Sequence, residues 1–266
     1  MLRPSALTAV YRVLGPASRP SPTPTATATR PPIQDTLRPD LPPTGDTEIN
    51  PLTGLRVPAA RLSRRPLGVK IANYPPSARP QSGLSFADVV FEYEVEYHLS
   101  RFAAIYWGND PVPELGPLRS LRIVDGELMS IFQSVLVTSG GHPAVKTRIT
   151  EGKEWASGYQ RIICPEAPFL GEGGTMRRIA KPGRVYELTL YSDTTSLWDL
   201  VAKRGINQRP DLDGMFAFSD SAPDGGSEAT YLQVVYIAGS SEAEYQYDAQ
   251  SHSYRRFDLG QPTIDA

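Results

Sequence analysis

"ADVVFEYEVEYHLSRFAAIYW", Ala87–Trp107, decides the fold. In its first arm Phe91, Tyr93, Val95 and Tyr97 alternate with Glu92, Glu94 and Glu96. A period of two is the signature of a strand with one packed and one polar face. "HLS" turns the chain and "RFAAIYW" returns, so the stretch reads as a hairpin with the four apolar residues buried and the glutamates exposed or paired.

The reading extends in both directions from the hairpin. Upstream, "RPLGVKIAN" (Arg65–Asn73) alternates Leu67, Val69 and Ile71, which predicts another strand, and "YPPSARPQSG" (Tyr74–Gly83) is a loop. Downstream, "GPLRSLR" (Gly116–Arg122) leads into "SLRIVDGELMSIFQ", whose Leu121, Val124, Leu128, Ile131 and Phe132 have helical spacing, with Ser120 as its expected N-cap. "SVLVTSGG" (Ser134–Gly141) reads as a buried strand followed by a second short helix. "RVYELTLYSDTTSLWDLVAKRG" reads as strand, cap and helix, ended by Gly205. After Met215 the segments "YLQVVYI", "AEYQYD" and "SYRRFD" are short strands. The fold class expected is α/β: a mixed sheet with a central hairpin and packed helices, followed by a partial β-rich C-terminal domain.

Composition bounds the rest. The 266 residues are 40% hydrophobic, enough for a core, and the formal net charge of −2 gives no global field that would draw nucleic acid. Ten of the 26 prolines fall in residues 1–50, with eight threonines and one aromatic, Tyr11. Such a segment buries too little apolar surface to offset ordering, so residues 1–48 are expected to be a disordered Pro/Thr-rich linker. "ALTAVYRVLG" is shorter than the ~20 apolar residues of a spanning helix and makes a poor secretory signal. Cys164, the single cysteine, has neither a disulfide partner nor a CxxC motif. No P-loop, dinucleotide fingerprint or nucleophile elbow occurs.

"NPLTGL", "RPLGVKIAN", "ARPQSGLSFADVVFEYEVE", "SRFAAIYW", "GPLRSLR" and "VTSGGHP" resemble, in order, the YerB-like family of bacterial envelope lipoproteins, over roughly Asn50–Gly205. The resemblance implies an N-terminal α/β domain (49–210), the start of a β-rich domain (211–266), and an exported, lipid-anchored chain. It supplies no chemistry, because the family's molecular function is not established. The sequence lacks a lipid-attachment cysteine near its start, and the β-rich tail is expected to be partial. A membrane tether is expected of the full-length protein.

The candidate ligand residues are Arg79, Gln81, Asp88, Arg101, Arg119, Ser120, Arg122 and His142. Arg119 and Arg122 stand three apart at an expected helix start, where cations oppose the helix dipole unless an anion compensates. Guanidinium groups bind phosphate bidentately. The alternative for them is pairing with Glu92, Glu94, Glu96 or Asp88. Arg79 and Gln81 lie in the loop before the hairpin, Arg101 opens the return arm, and His142 follows a strand. Asp88 and Glu92 read either as a cation or acid–base pair or as a solvated strand face; no metal site is expected. Three functions compete: a non-enzymatic protein that binds a phosphate-bearing envelope ligand, a phosphotransferase distantly similar to the LytR-CpsA-Psr enzymes, and a protein-binding scaffold. No cofactor is assigned, and the expected pocket gathers Arg79, Arg119 and Arg122 with Asp88.

Overall fold

The chain is described by a computed structural model that covers residues 45–151, 161–166, 174–218, 228–237, 241–251 and 253–266. The expected linker therefore lies outside the described residues up to 44. Its expected end at 48 falls inside the first strand. In order, the elements are β1 (Thr47–Ile49), β2 (Arg56–Pro58), α1 (Ala59–Leu62), β3 (Leu67–Ala72), β4 (Val89–Glu94), β5 (Ser100–Tyr106), α2 (Ile123–Ile131), β6 (Val135–Val137), α3 (Pro143–Glu151), β7 (Ile162–Ile163), β8 (Met176–Arg178), β9 (Leu190–Ser192), α4 (Thr194–Lys203) and β10–β13 (Tyr231–Ile237, Ser241–Asp248, Ser253–Asp258, Gln261–Pro262).

The mixed sheet runs β4-β5-β3-β6-β7. β5 is antiparallel to both β4 and β3, while β6 and β7 continue parallel. The hairpin thus supplies one side of the sheet, and β3 is its middle strand. All six residues of β3 are buried because both faces are covered, the pattern of a strand between helices. Leu67, Val69 and Ile71 pack with Phe102, Tyr106 and the α4 residues Leu197, Trp198 and Val201. On the opposite face, Ala103 and Ile105 pack with Leu128 and Phe132 around α2. α4 starts where expected, with Asp193 accepting from Ser196 N at 2.8 Å, and Gly205 takes a left-handed φ of 67°.

The hairpin alternation ends sooner than expected. β4 stops at Glu94, and the chain reverses between Val95 and Leu99, joined by Val95 N to Leu99 O at 2.7 Å. Tyr97 and His98 adopt left-handed φ of 61° and 56°. Tyr97 is therefore a turn residue, 88% exposed rather than buried. Phe91 and Tyr93 are partly buried as part of the second core.

"GPLRSLR" departs further from expectation. Only the first half of β3 pairs with β6. Beside its second half lies Leu118, bridged to Ile71, with Ala72 N to Pro117 O at 2.9 Å and Arg119 N to Lys70 O at 3.0 Å. The motif is an extended segment filling a sheet edge, not the first turn of a helix. Gly116 is required there. Its φ is +150°, and a Cβ would lie 2.7 Å from the Tyr191 ring. α2 begins at Ile123 with Arg122 as N-cap, and Ser120 does not cap it.

Leu212 and Met215, beyond the expected boundary at 210, pack with Leu52 and Leu62. The described residues from 228 to 262 form a separate unit, the antiparallel sheet β10-β11-β12-β13. Thr263–Ala266 belong to the larger unit. There, Asp265 accepts from Leu84 N at 3.3 Å, from Ser85 N at 2.9 Å and from Ser85 Oγ, and Ala266 N donates to Gln81 O at 2.7 Å.

Phe102, fully enclosed between β3 and β4, tests the reading of the return arm. Phe102→Ala should lower stability by about 3–5 kcal/mol, measured by denaturant unfolding. A loss below ~1 kcal/mol would contradict its place in the core.

Candidate functional site

The register places side chains by row. Ala72, Arg101 and Tyr93 share one row across β3, β5 and β4. Lys70 lies two residues earlier on the same face of β3. A lysine inside a fully buried strand must find partners, since an isolated buried charge is very costly. Lys70 finds them in Tyr93 and Asp125. Its Nζ donates to Tyr93 Oη and lies 3.4 Å from Asp125 Oδ1. Tyr93 Oη in turn donates to Asp125 Oδ1. Asp125 Oδ2 accepts from Arg122 N at 2.6 Å, half of a capping box at the start of α2. Both Lys70 and Asp125 are inaccessible to solvent.

Burial pushes the Lys70 ammonium down to about 8, more than Asp125 holds it up, with Arg101 and Arg122 adding repulsion. Burial, and then the adjacent Asp125 carboxylate, pushes the Tyr93 phenol far up. Tyr93 therefore stays protonated and donates.

The arginines gather above this buried group. Arg101 Nη1 donates to Ser120 O at 2.9 Å. Arg122 Nη1 donates to Ser120 O at 3.2 Å and to Leu121 O at 2.8 Å, and its Nη2 pairs with Glu96. Arg119 Nη1 reaches Glu187 O at 3.4 Å. Arg101 is lowered to about 10, by burial first and then by Arg122 and Arg119. Arg119 is lowered by burial and by Arg122, against Glu187. Among the described residues Arg101 has no carboxylate within ion-pair distance, and the Nε atoms of Arg119 and Arg122 are buried without a hydrogen-bond partner. Four cations thus converge, with Asp125 and Glu96 as the carboxylates in contact.

The other candidates lie elsewhere. Asp88 sits at the far end of the hairpin from Arg101. Its carboxylate accepts from Trp107 N at 2.5 Å, Gly108 N at 3.0 Å and Asn50 Nδ2 at 2.7 Å. Those backbone donors use its charge, so the expected pocket with Asp88 at its edge does not form. Gln81 belongs to the opposite face. Its Nε2 donates to Ala72 O at 3.0 Å and to Asn73 Oδ1 at 3.4 Å, and Asn73 bonds Glu92 and Ser100. Arg79 lies over the Tyr74 ring in the same loop. His142 Nδ1 accepts from Ala144 N at 3.3 Å at the start of α3. Ser120 enters the site through its carbonyl alone. Glu94 pairs with His98 rather than with an arginine. Lys70, Tyr93 and Asp125 were not singled out from sequence. The available signal was Lys70 itself, a charge inside "LGVKIA".

Comparison with known proteins gives a consistent family picture. The description "Protein of unknown function (DUF3048) N-terminal domain" matches residues 52–207. A Bacillus subtilis (strain 168) protein named "Putative lipoprotein YerB" is 30% identical over 218 residues, which cover 81% of this chain and 61% of that protein. The chain thus spans about three fifths of that relative's length. The crystal structure of YerB from Bacillus subtilis superposes with a TM-score of 0.66 at 27% identity, covering 82% of this chain and 69% of that one.

The buried Lys70 and the half-buried Arg101 should respond oppositely to removal. Lys70→Met strands Asp125 and should cost about 3–5 kcal/mol, whereas Arg101→Leu strands no carboxylate and should be neutral or stabilising. Lys70 also sets a pH dependence. Its folded pKa of about 8 is below the ordinary 10.5, so between those values the unfolded chain binds more protons. The unfolding free energy should therefore gain a positive slope with pH from about 8 to 10.5. Denaturant titrations at stepped pH should show this slope in the parent and not in Lys70→Met.

Proposed function

We propose that this chain, which belongs to the DUF3048 family, is an extracytoplasmic, membrane-anchored envelope protein that binds a phosphate-bearing anion in the Arg101–Arg119–Arg122 cluster. The location rests on similarity to a protein named as a lipoprotein. Among the described residues no helix is long and apolar enough to cross a membrane. The binding reading rests on one observation. Arg101 is held in place by a backbone carbonyl, is repelled by two other arginines and, among the described residues, has no carboxylate within ion-pair distance, Glu96 and Asp125 attracting it only from farther off. Backbone carbonyls fix guanidinium groups without neutralising them, so the cluster keeps unspent positive charge. A phosphate group supplies several acceptor oxygens for such forks. Glu96, exposed and paired with Arg122, then acts as an internal competitor for the same guanidinium.

Inorganic pyrophosphate is a suitable probe for calorimetric titration at low salt. The parent protein should bind it. Arg119→Ala should weaken binding roughly tenfold, the value of one charge-assisted pair, with little change in stability. Glu96→Gln should tighten binding by removing the competitor. No heat of binding in the parent, or an unchanged affinity in Arg119→Ala, rejects the cluster as an anion site.

A further inference from the structure

The segments that reach the arginine cluster carry exposed apolar residues next in sequence to the residues that form it. Tyr97, 88% exposed, follows Glu96, which pairs with Arg122. Ile123, 49% exposed, follows Arg122 itself. Tyr186, 67% exposed, precedes Glu187, whose carbonyl accepts from Arg119, and Val185 beside it is also exposed. Exposed apolar residues scattered singly are ordinary. Here, three separate segments each place one next to a residue that touches an arginine.

One of these side chains is also held firmly. Tyr186 has Arg178 stacked 3.5 Å from its ring centroid, and its carbonyl accepts from the same guanidinium at 2.7 Å. An aromatic group fixed next to a cationic centre suits a ligand with an apolar part beside a charged one, because a ring offers an apolar body with a polar tip.

We infer that the ligand is an amphiphile, its phosphorylated head held by Arg101, Arg119 and Arg122 and its apolar chain laid over Tyr97, Ile123 and Tyr186. This rests on the anion-binding reading above and narrows it to one molecular class. A free inorganic or sugar phosphate would use the cations and leave the apolar border idle. An uncharged lipid would do the reverse.

Calorimetric titration of the full chain with geranyl pyrophosphate, inorganic pyrophosphate and geraniol, each below its aggregation concentration, separates these cases. Geranyl pyrophosphate should bind about tenfold or more tighter than pyrophosphate, as expected when part of a ten-carbon chain leaves water, and geraniol should not bind measurably. In a Tyr97→Ser, Ile123→Ser, Tyr186→Ser variant the advantage of the geranyl chain should vanish, while pyrophosphate affinity stays at the parent value. Equal affinity of the parent for the two pyrophosphates overturns the inference and leaves the anion site standing. A chain advantage that persists in the variant also overturns it, as does geraniol binding as tightly as geranyl pyrophosphate. Failure of the parent to bind either pyrophosphate removes both the inference and the reading beneath it.

Discussion

A buried ammonium group is the constraint on which this domain depends. Lys70 is inside the middle strand of the sheet, where water cannot solvate it. The chain meets that demand with Tyr93 from β4 and Asp125 from α2. One charge therefore ties the central strand, the edge strand and the helix across them into a single arrangement. Hydrophobic packing alone would tolerate small slips of α2 over the sheet. A lysine, a phenol and a carboxylate with hydrogen bonds among them do not, because each slip leaves a charged or polar group unsatisfied.

The same arrangement explains how three arginines come together. Asp125 accepts from Arg122 N and so fixes the start of α2 beside the start of β5, where Arg101 lies. The preceding segment is held in the sheet through Pro117, Leu118 and Arg119. It bends there, turning the carbonyls of Ser120 and Leu121 toward the guanidinium groups of Arg101 and Arg122. Apart from the Arg122–Glu96 pair, positive charge is thus assembled by backbone geometry rather than by matching acids. That separates this cluster from the ion pairs elsewhere in the domain, such as Arg64–Asp110 and Lys181–Glu114, where each cation faces its own carboxylate.

Much of the fold was legible because it depends on local pattern. Alternation marked β3 and the start of β4, and Asp193 and Gly205 bracketed α4 where capping chemistry requires. Legibility failed where tertiary contacts overrode local preference. Tyr97 fits the alternation in sequence, yet the turn takes it. Ser120 is a good capping residue by type, but pairing with β3 keeps its segment extended. In the site, Arg119 and Arg122 were readable as neighbouring cations, but from an expected helix start that the structure makes an extended segment, and Arg122 does take one of the glutamates expected as an alternative partner, Glu96. Asp88 was misplaced because two of its partners, the amides of Trp107 and Gly108, are backbone groups that no side-chain pattern reveals, and the third, the Asn50 side chain, is 38 positions away. Lys70 passed as one more strand residue because its partners come from elements 23 and 55 positions away.

The contacts of Asp265 carry a consequence for how the chain is made. Asp265 and Ser85 are 180 positions apart. The entropy of closing so long a loop grows only with the logarithm of its length, so the finished fold tolerates it well. The timing is less forgiving, since contacts of large sequence separation form late. On the ribosome, the amides of Leu84 and Ser85 emerge long before the carboxylate that accepts from them has been synthesised. Throughout that interval the loop leading into the hairpin remains open to water and to other acceptors. The sheet at the centre of the domain must hold its register without that clasp until Thr263–Ala266 arrive.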